Sequence, residues 1–159
     1  MRSAGFEVRS AKCEVKCGVR SAGCEVCNRI GTWKVRRYMT VRKFEDIQAW
    51  QEARVLVNQV YKLTRDGALS KDFGLRDQLQ RACVSVMANI AEGFDCDPNV
   101  EFGRFLGIAR RSAVEVQSLL YAASDIGYVS PDEFKSTYDQ ANKTKALISG
   151  FKNAMLRKN

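Results

Sequence analysis

From Lys43 to the C-terminus, apolar residues recur at steps of three and four through four long segments, each bounded by glycine or proline. That spacing keeps one face of a helix apolar over many turns. Ile47, Trp50, Ala53, Val57, Val60, Tyr61 and Thr64 mark the first segment, about residues 43–65, with Gly67 as its stop. Leu75, Leu79, Ala82, Val86 and Ile90 mark the second, about residues 74–92, ended by Gly93. Phe102, Phe105, Ala109, Val116, Leu120 and Ala123 line the third, about residues 99–126. Asp97 is its N-cap, Pro98 its first helical residue and Gly127 its stop. The fourth opens on "SPDE", in which Ser130 caps, Pro131 follows and Glu133 completes a capping box. Phe134, Tyr138, Ala141, Ile148, Phe151 and Met155 form its inner stripe. No segment alternates like a strand bounded by hairpin signals. The expected fold is all-α: an antiparallel up-down four-helix bundle at residues 39–159, with a disordered N-terminal extension at residues 1–38.

The extension is a repeat. "RSAGFEV", "RSAKCEV" and "RSAGCEV" fall within the first 26 residues. It holds few bulky side chains to offset the entropy of ordering it. It also carries most of the charge: of the chain's net +8, residues 1–38 supply +6 and the bundle segment +2. Nucleic-acid binding inferred from the overall charge would therefore be inferred from the tail. Cys13, Cys17, Cys24 and Cys27 suggest a structural zinc site, and a zinc-binding regulator is one alternative. The gap between the two cysteine pairs is short for that purpose, and duplication explains two of the four. No apolar run reaches the roughly 20 residues of a membrane helix. No apolar stretch follows the basic start as in a secretory signal. The expected location is cytoplasmic.

The segment "RACVSVMANIAEGF", residues 81–94, raises the question of catalysis. It holds Asn89 and Glu92, but the chain has no histidine. General acid–base work needs a partner and a cleft. No phosphate-binding glycine loop or dinucleotide motif is present. Cys83 points near the core and reads as an inert buried thiol. On a helical wheel, Gln78, Arg81, Ser85 and Glu92 form one polar flank, with Asn89 at the edge of the core face. With Glu115 of the third helix, these read as polar groups that fix helix packing. The expectation is no enzyme, no cofactor, no metal site in the bundle and no small-molecule substrate.

The back of the second helix carries Val84, Met87 and Ala91, with Phe94 beside them. A helix apolar on both sides is usually buried on both sides. The back of the third carries Gly103, Gly107, Val114 and Tyr121. Glycine costs roughly 1 kcal/mol against alanine inside a helix, so this pair suits close approach of another backbone. These eight residues are the expected homo-oligomer interface.

From Phe44 onward the sequence resembles the four-helix bundle family encoded in 23S rRNA intervening sequences. The resemblance rests on "FEDIQAW" (44–50), Tyr61, "FGL" (73–75), Gln78, "RA" (81–82), Ser85, "ANIAEGF" (88–94), "FGRFLGIA" (102–109), Ser112, Glu115 and "GY" (127–128). It implies an up-down bundle, a homo-oligomer (a pentamer) and no catalytic activity. Similar bundles bind nucleic acid on a basic surface, so RNA or DNA is an expected partner by analogy. The candidate contacts are Arg42, Lys43, Arg76, Arg104, Arg110 and Arg111. The bland alternative for each is a solvated charge or an ion pair, such as Arg111 with Glu115 one turn on. A protein-interaction or accessory subunit without nucleic-acid binding is a further alternative. Met87 stands where the family often has proline, so the second helix should run more regularly. Arg111 replaces a usual glycine, and "DCD" after Phe94 replaces a commonly basic link.

Overall fold

The computed structural model describes residues 33–35, 39–96 and 99–156. The chain divides into two units, Met1–Arg42 and Lys43–Asn159. In the first, β1 (Trp33–Val35) pairs antiparallel with β2 (Met39–Val41), Trp33 opposite Val41. This hairpin spans the boundary that the sequence places at Met39. Its β-branched and aromatic residues suit a strand better than the repeat before it. The repeat and its four cysteines lie outside the described residues, as does the Asp97–Pro98 cap.

The second unit is the helical one. A short 3-10 turn at Phe44–Asp46 leads into α1 (Gln48–Leu63). Phe44 meets the Trp50 ring edge-on at 5.0 Å and fixes the chain's entry. A second such turn, Leu69–Lys71, leads into α2 (Phe73–Asp95). Then come α3 (Asn99–Asp125) and α4 (Pro131–Leu156). Each helix packs on its chain neighbours, and α4 returns to α1. Cross-links give the directions. Ser85 bonds Ser112 while Phe94 meets Phe102, so α3 runs back along α2. Lys145 bonds Gln117 while Tyr138 meets Tyr121, so α4 runs back along α3.

The core holds Leu56, Val60, Leu79, Ala82, Val86, Ile90, Phe102, Leu106, Ala109, Val116, Leu120, Ala123, Ala141 and Ile148, all buried. Burying a side chain of Leu or Phe size is worth about 1.5–3 kcal/mol. Three details differ from the pattern read off the sequence. On α1 the buried stripe is Ala49, Ala53, Leu56 and Val60, while Tyr61 is 46% exposed. The helix is rotated so that α2 and α4 share one aliphatic strip. On α4, Thr137 and Thr144 are buried among the apolar residues. Thr144 satisfies its hydroxyl by donating to the Gln140 carbonyl at 2.8 Å. Lastly, Gly93 does not end α2. It is buried, and a Cβ there would lie 2.6 Å from the Phe105 Cβ and 2.7 Å from Phe102 Cδ2. It is a glycine because α3 comes too close for any side chain.

The turns use the residues they need. Gly67 and Gly127 take φ of 77° and 80°, which glycine adopts freely. Asp72 caps α2, its Oδ1 accepting from the Leu75 N–H at 3.0 Å, a cap the sequence reading passed over. At α4 the capping box is closed. Glu133 accepts from the Ser130 N–H at 2.9 Å, and the Glu133 N–H donates to Ser130 Oγ at 3.3 Å. Those bonds hold the Glu133 carboxyl below its ordinary value of 4.5. The stability it contributes is therefore complete above that value and is lost as pH falls through the lower folded value. Ser130→Ala should lower stability by about 1 kcal/mol at neutral pH. Denaturant midpoints should also show that the loss shrinks once Glu133 is protonated in both chains. An equal loss at every pH would separate the cap from the carboxylate.

Candidate functional site

Asn89 and Glu92, the polar pair of the 81–94 segment, do not meet. Asn89 donates to the Ser85 carbonyl at 2.7 Å and to its hydroxyl at 3.1 Å, and Ser85 bonds Ser112 of α3 at 2.9 Å. One and two turns away, Gln78 donates to Glu115 and accepts from Arg81 at 2.8 Å. These bonds form a polar seam joining α2 to α3. Glu92 lies exposed outside it. The seam uses its polar atoms on one another, which is the chemistry of alignment. Among the described residues no group of three His, Cys, Asp or Glu could hold a metal. None of the helices among them is long and apolar enough to cross a membrane. Burial raises the Cys83 thiol to about 12.

The side of α2 that the sequence reserves for a second copy is already half-covered. Val84, Met87, Ala91 and Phe94 are each half-buried within the chain. Val84 packs on the core cluster, and α2 touches both α1 and the Phe44–Asp46 turn. The glycines of α3 do not face outward either. Gly103 is buried, and Gly107 lies under the Lys152 ammonium, 3.2 Å from where a Cβ would be. Only Val114 and Tyr121 of that set keep large exposure, 46% and 52%.

These residues open onto the seam between α3 and α4. At one end Tyr121 packs on Phe134 and Tyr138, with ring centroids 5.1 and 5.5 Å away. The neighbouring Tyr121 hydroxyl pushes the Tyr138 phenol above its ordinary value. In the middle, Lys145 donates to Gln117 Oε1 at 2.9 Å. Gln117 is held there at a cost, because its buried Nε2 has no acceptor among the described residues. At the far end lies Lys152 over Gly107. Residues 140–159 hold five Lys/Arg and no Asp or Glu.

The six cations proposed from the sequence separate into two groups. Arg76 pairs with Asp77 at 2.8 Å, donates to the Ser70 carbonyl at 3.1 Å and lies 4.7 Å over the Phe73 ring. Arg104 pairs with Glu101 at 3.6 Å. Arg42, Lys43, Arg110 and Arg111 are exposed without a carboxylate partner among the described residues. Arg111 does not pair with Glu115, whose carboxylate accepts from Gln78. Lys145 and Lys152 were missed. Read by sequence alone they are ordinary charges of an amphipathic helix, and only the fold aligns them with α3.

A family model described as 23S rRNA-intervening sequence protein matches residues 45–150. The chain belongs to this family. A crystal structure of a protein with unknown function from the S23 ribosomal protein family of Bacteroides thetaiotaomicron is similar, with a TM-score of 0.57 and 22% identity. The similarity covers 66% of this chain and 91% of that one, and at this identity it speaks for the fold. Comparison with curated proteins yields no match. With Met87 mid-helix, α2 runs unbroken from Phe73 to Asp95.

Cys83 in this intervening-sequence protein should resist alkylation in the native state at pH 8 and react once the chain is denatured at the same pH. Half-buried Cys96 should label earlier. Peptide mapping by mass spectrometry reads both. Native labelling of Cys83 as fast as of Cys96 would mean that the α2 core opens.

Proposed function

We propose that this protein is a non-enzymatic, homo-oligomeric helical bundle that binds RNA or DNA through charge. The observation that carries the reading is the α3–α4 side of the bundle. Arg110, Lys145 and Lys152 lie there without a carboxylate partner among the described residues. Four carboxylates elsewhere are engaged: Glu52 with Gln140 and Lys143, Glu101 with Arg104, Asp77 with Arg76 and Asp139 with Lys135. A nearly neutral body can therefore present a cationic side. Polyanion binding needs that local field more than a high net charge.

Assembly is supported by α1, where Val55 is 43% and Tyr61 46% exposed. A second copy that covers them would gain roughly 25 cal/mol per Å² of apolar area before association costs. These exposures favour a contact on the outer side of α1 over one on the back of α2. The resemblance favours a pentamer.

Binding of a fluorescent oligonucleotide to the full chain should weaken steeply as salt rises and show little preference for sequence. Light scattering should give a multiple of the 17.9 kDa chain mass, five copies on the favoured reading, and Val55→Glu should lower it. Affinity insensitive to salt would overturn the charge reading. A monomeric mass for the unaltered chain would overturn the assembly.

A further inference from the structure

We propose that the seam between α3 and α4 is a track for a single strand of nucleic acid, with bases stacking at Tyr121 and phosphates held by Arg110, Lys145 and Lys152. The proposal rests on the charge reading above and adds strand type and position. Geometry carries it. At 100° per residue, Gly107, Arg110, Val114, Gln117 and Tyr121 fall within one arc of about 80° on α3. On α4, Tyr138, Lys145 and Lys152 repeat every seventh residue and so form one stripe. The two sets are tied together at three points: Tyr121 to Tyr138, Gln117 to Lys145, and Gly107 to Lys152. From Gly107 to Tyr121 the track is about 21 Å long at 1.5 Å per residue. That is roughly six nucleotides at a stacked spacing of about 3.4 Å.

The chemistry selects the occupant. Tyr121 leaves about half its surface in water, 52%, while Phe134 and Tyr138 hold the ring from beneath. Phe134 and Tyr138 are themselves stacked at 26°. A supported aromatic face next to unpaired cations is what single-strand sites use, because every unpaired base has a face to stack. A duplex hides those faces. Gly107 contributes by having no side chain where the Lys152 ammonium lies. A second copy is the poorer occupant, because seam against seam would bring like charges together.

The test uses the full chain and three ligands of about 12 nucleotides, within the site sizes common for single-strand binders. They are an oligouridylate, an abasic sugar–phosphate strand of equal charge, and a duplex. The oligouridylate should bind most tightly. Tyr121→Leu should weaken it about fivefold or more and leave the abasic strand unchanged, while Tyr121→Trp should restore binding. Lys145→Gln and Lys152→Gln should weaken all three ligands, each lowering the single-strand salt slope by roughly 0.7. Equal binding of oligouridylate and abasic strand, unaltered by Tyr121→Leu, overturns the track and leaves the charge reading standing. No binding of any ligand removes both. If Tyr121→Leu instead splits the assembly in light scattering, the seam belongs to a second copy and the track is overturned.

Discussion

The close approach of α2 and α3 at Gly93 sets the geometry of one end of the bundle. A side chain there would collide with Phe102 and Phe105, so the two helices meet backbone to ring. Phe102 is thereby driven into the core, where it is 2% exposed, and it meets Phe94 and Phe151 edge-on at 6.2 and 5.5 Å. Phe151 is an α4 residue, so the contact of two helices fixes the third. Lys152 follows it directly, and its ammonium lies over Gly107. A glycine chosen for packing on α2 thus positions a charge on α4. Overfilling a packed site commonly costs about 1–3 kcal/mol. Here the same shift would also move the cation.

The seams between helices differ in how they treat charge. Between α1 and α4, Glu52 accepts from Gln140 at 2.8 Å and pairs with Lys143 at 2.8 Å, which holds its carboxyl below the ordinary value. Between α2 and α3, Gln78 and Arg81 are grouped with Glu115. Between α1 and α2 the link is neutral, Gln80 to Thr64 at 2.8 Å. Among the described residues, only the α3–α4 seam gives its lysine a neutral amide for a partner. The cationic side thus arises from partner choice together with the lack of acidic residues in 140–159, and this is why a +2 segment can carry it.

The fold was legible in the sequence because its signals are local. Period, glycine stops and the "SPDE" box each act within one or two turns, and the four helices follow from them. What was not legible depends on rotation of one helix against another. Tyr61 fits the apolar period of α1 as well as Leu56 does, yet the axis that α2 and α4 share buries Leu56 and exposes Tyr61. The wheel shows the back of α2 as apolar, but not that Val84, Met87, Ala91 and Phe94 are each half-buried within the chain. Gly93 was read as a stop because stops and close contacts ask for the same residue. Lys145 and Lys152 gained meaning only once Gln117 and Gly107 were seen opposite them.

Gln117 argues that the seam is not arranged for stability alone. Its side chain is buried, its Nε2 is unsatisfied among the described residues, and its Oε1 serves a lysine. Leaving a buried donor unpaired costs about 1–3 kcal/mol. A glutamate at this position would remove that donor and give Lys145 a carboxylate. An aliphatic residue would remove the burial cost altogether. Both alternatives are close in size. The glutamine does what neither could: it anchors the Lys145 ammonium across the seam and leaves its charge uncancelled.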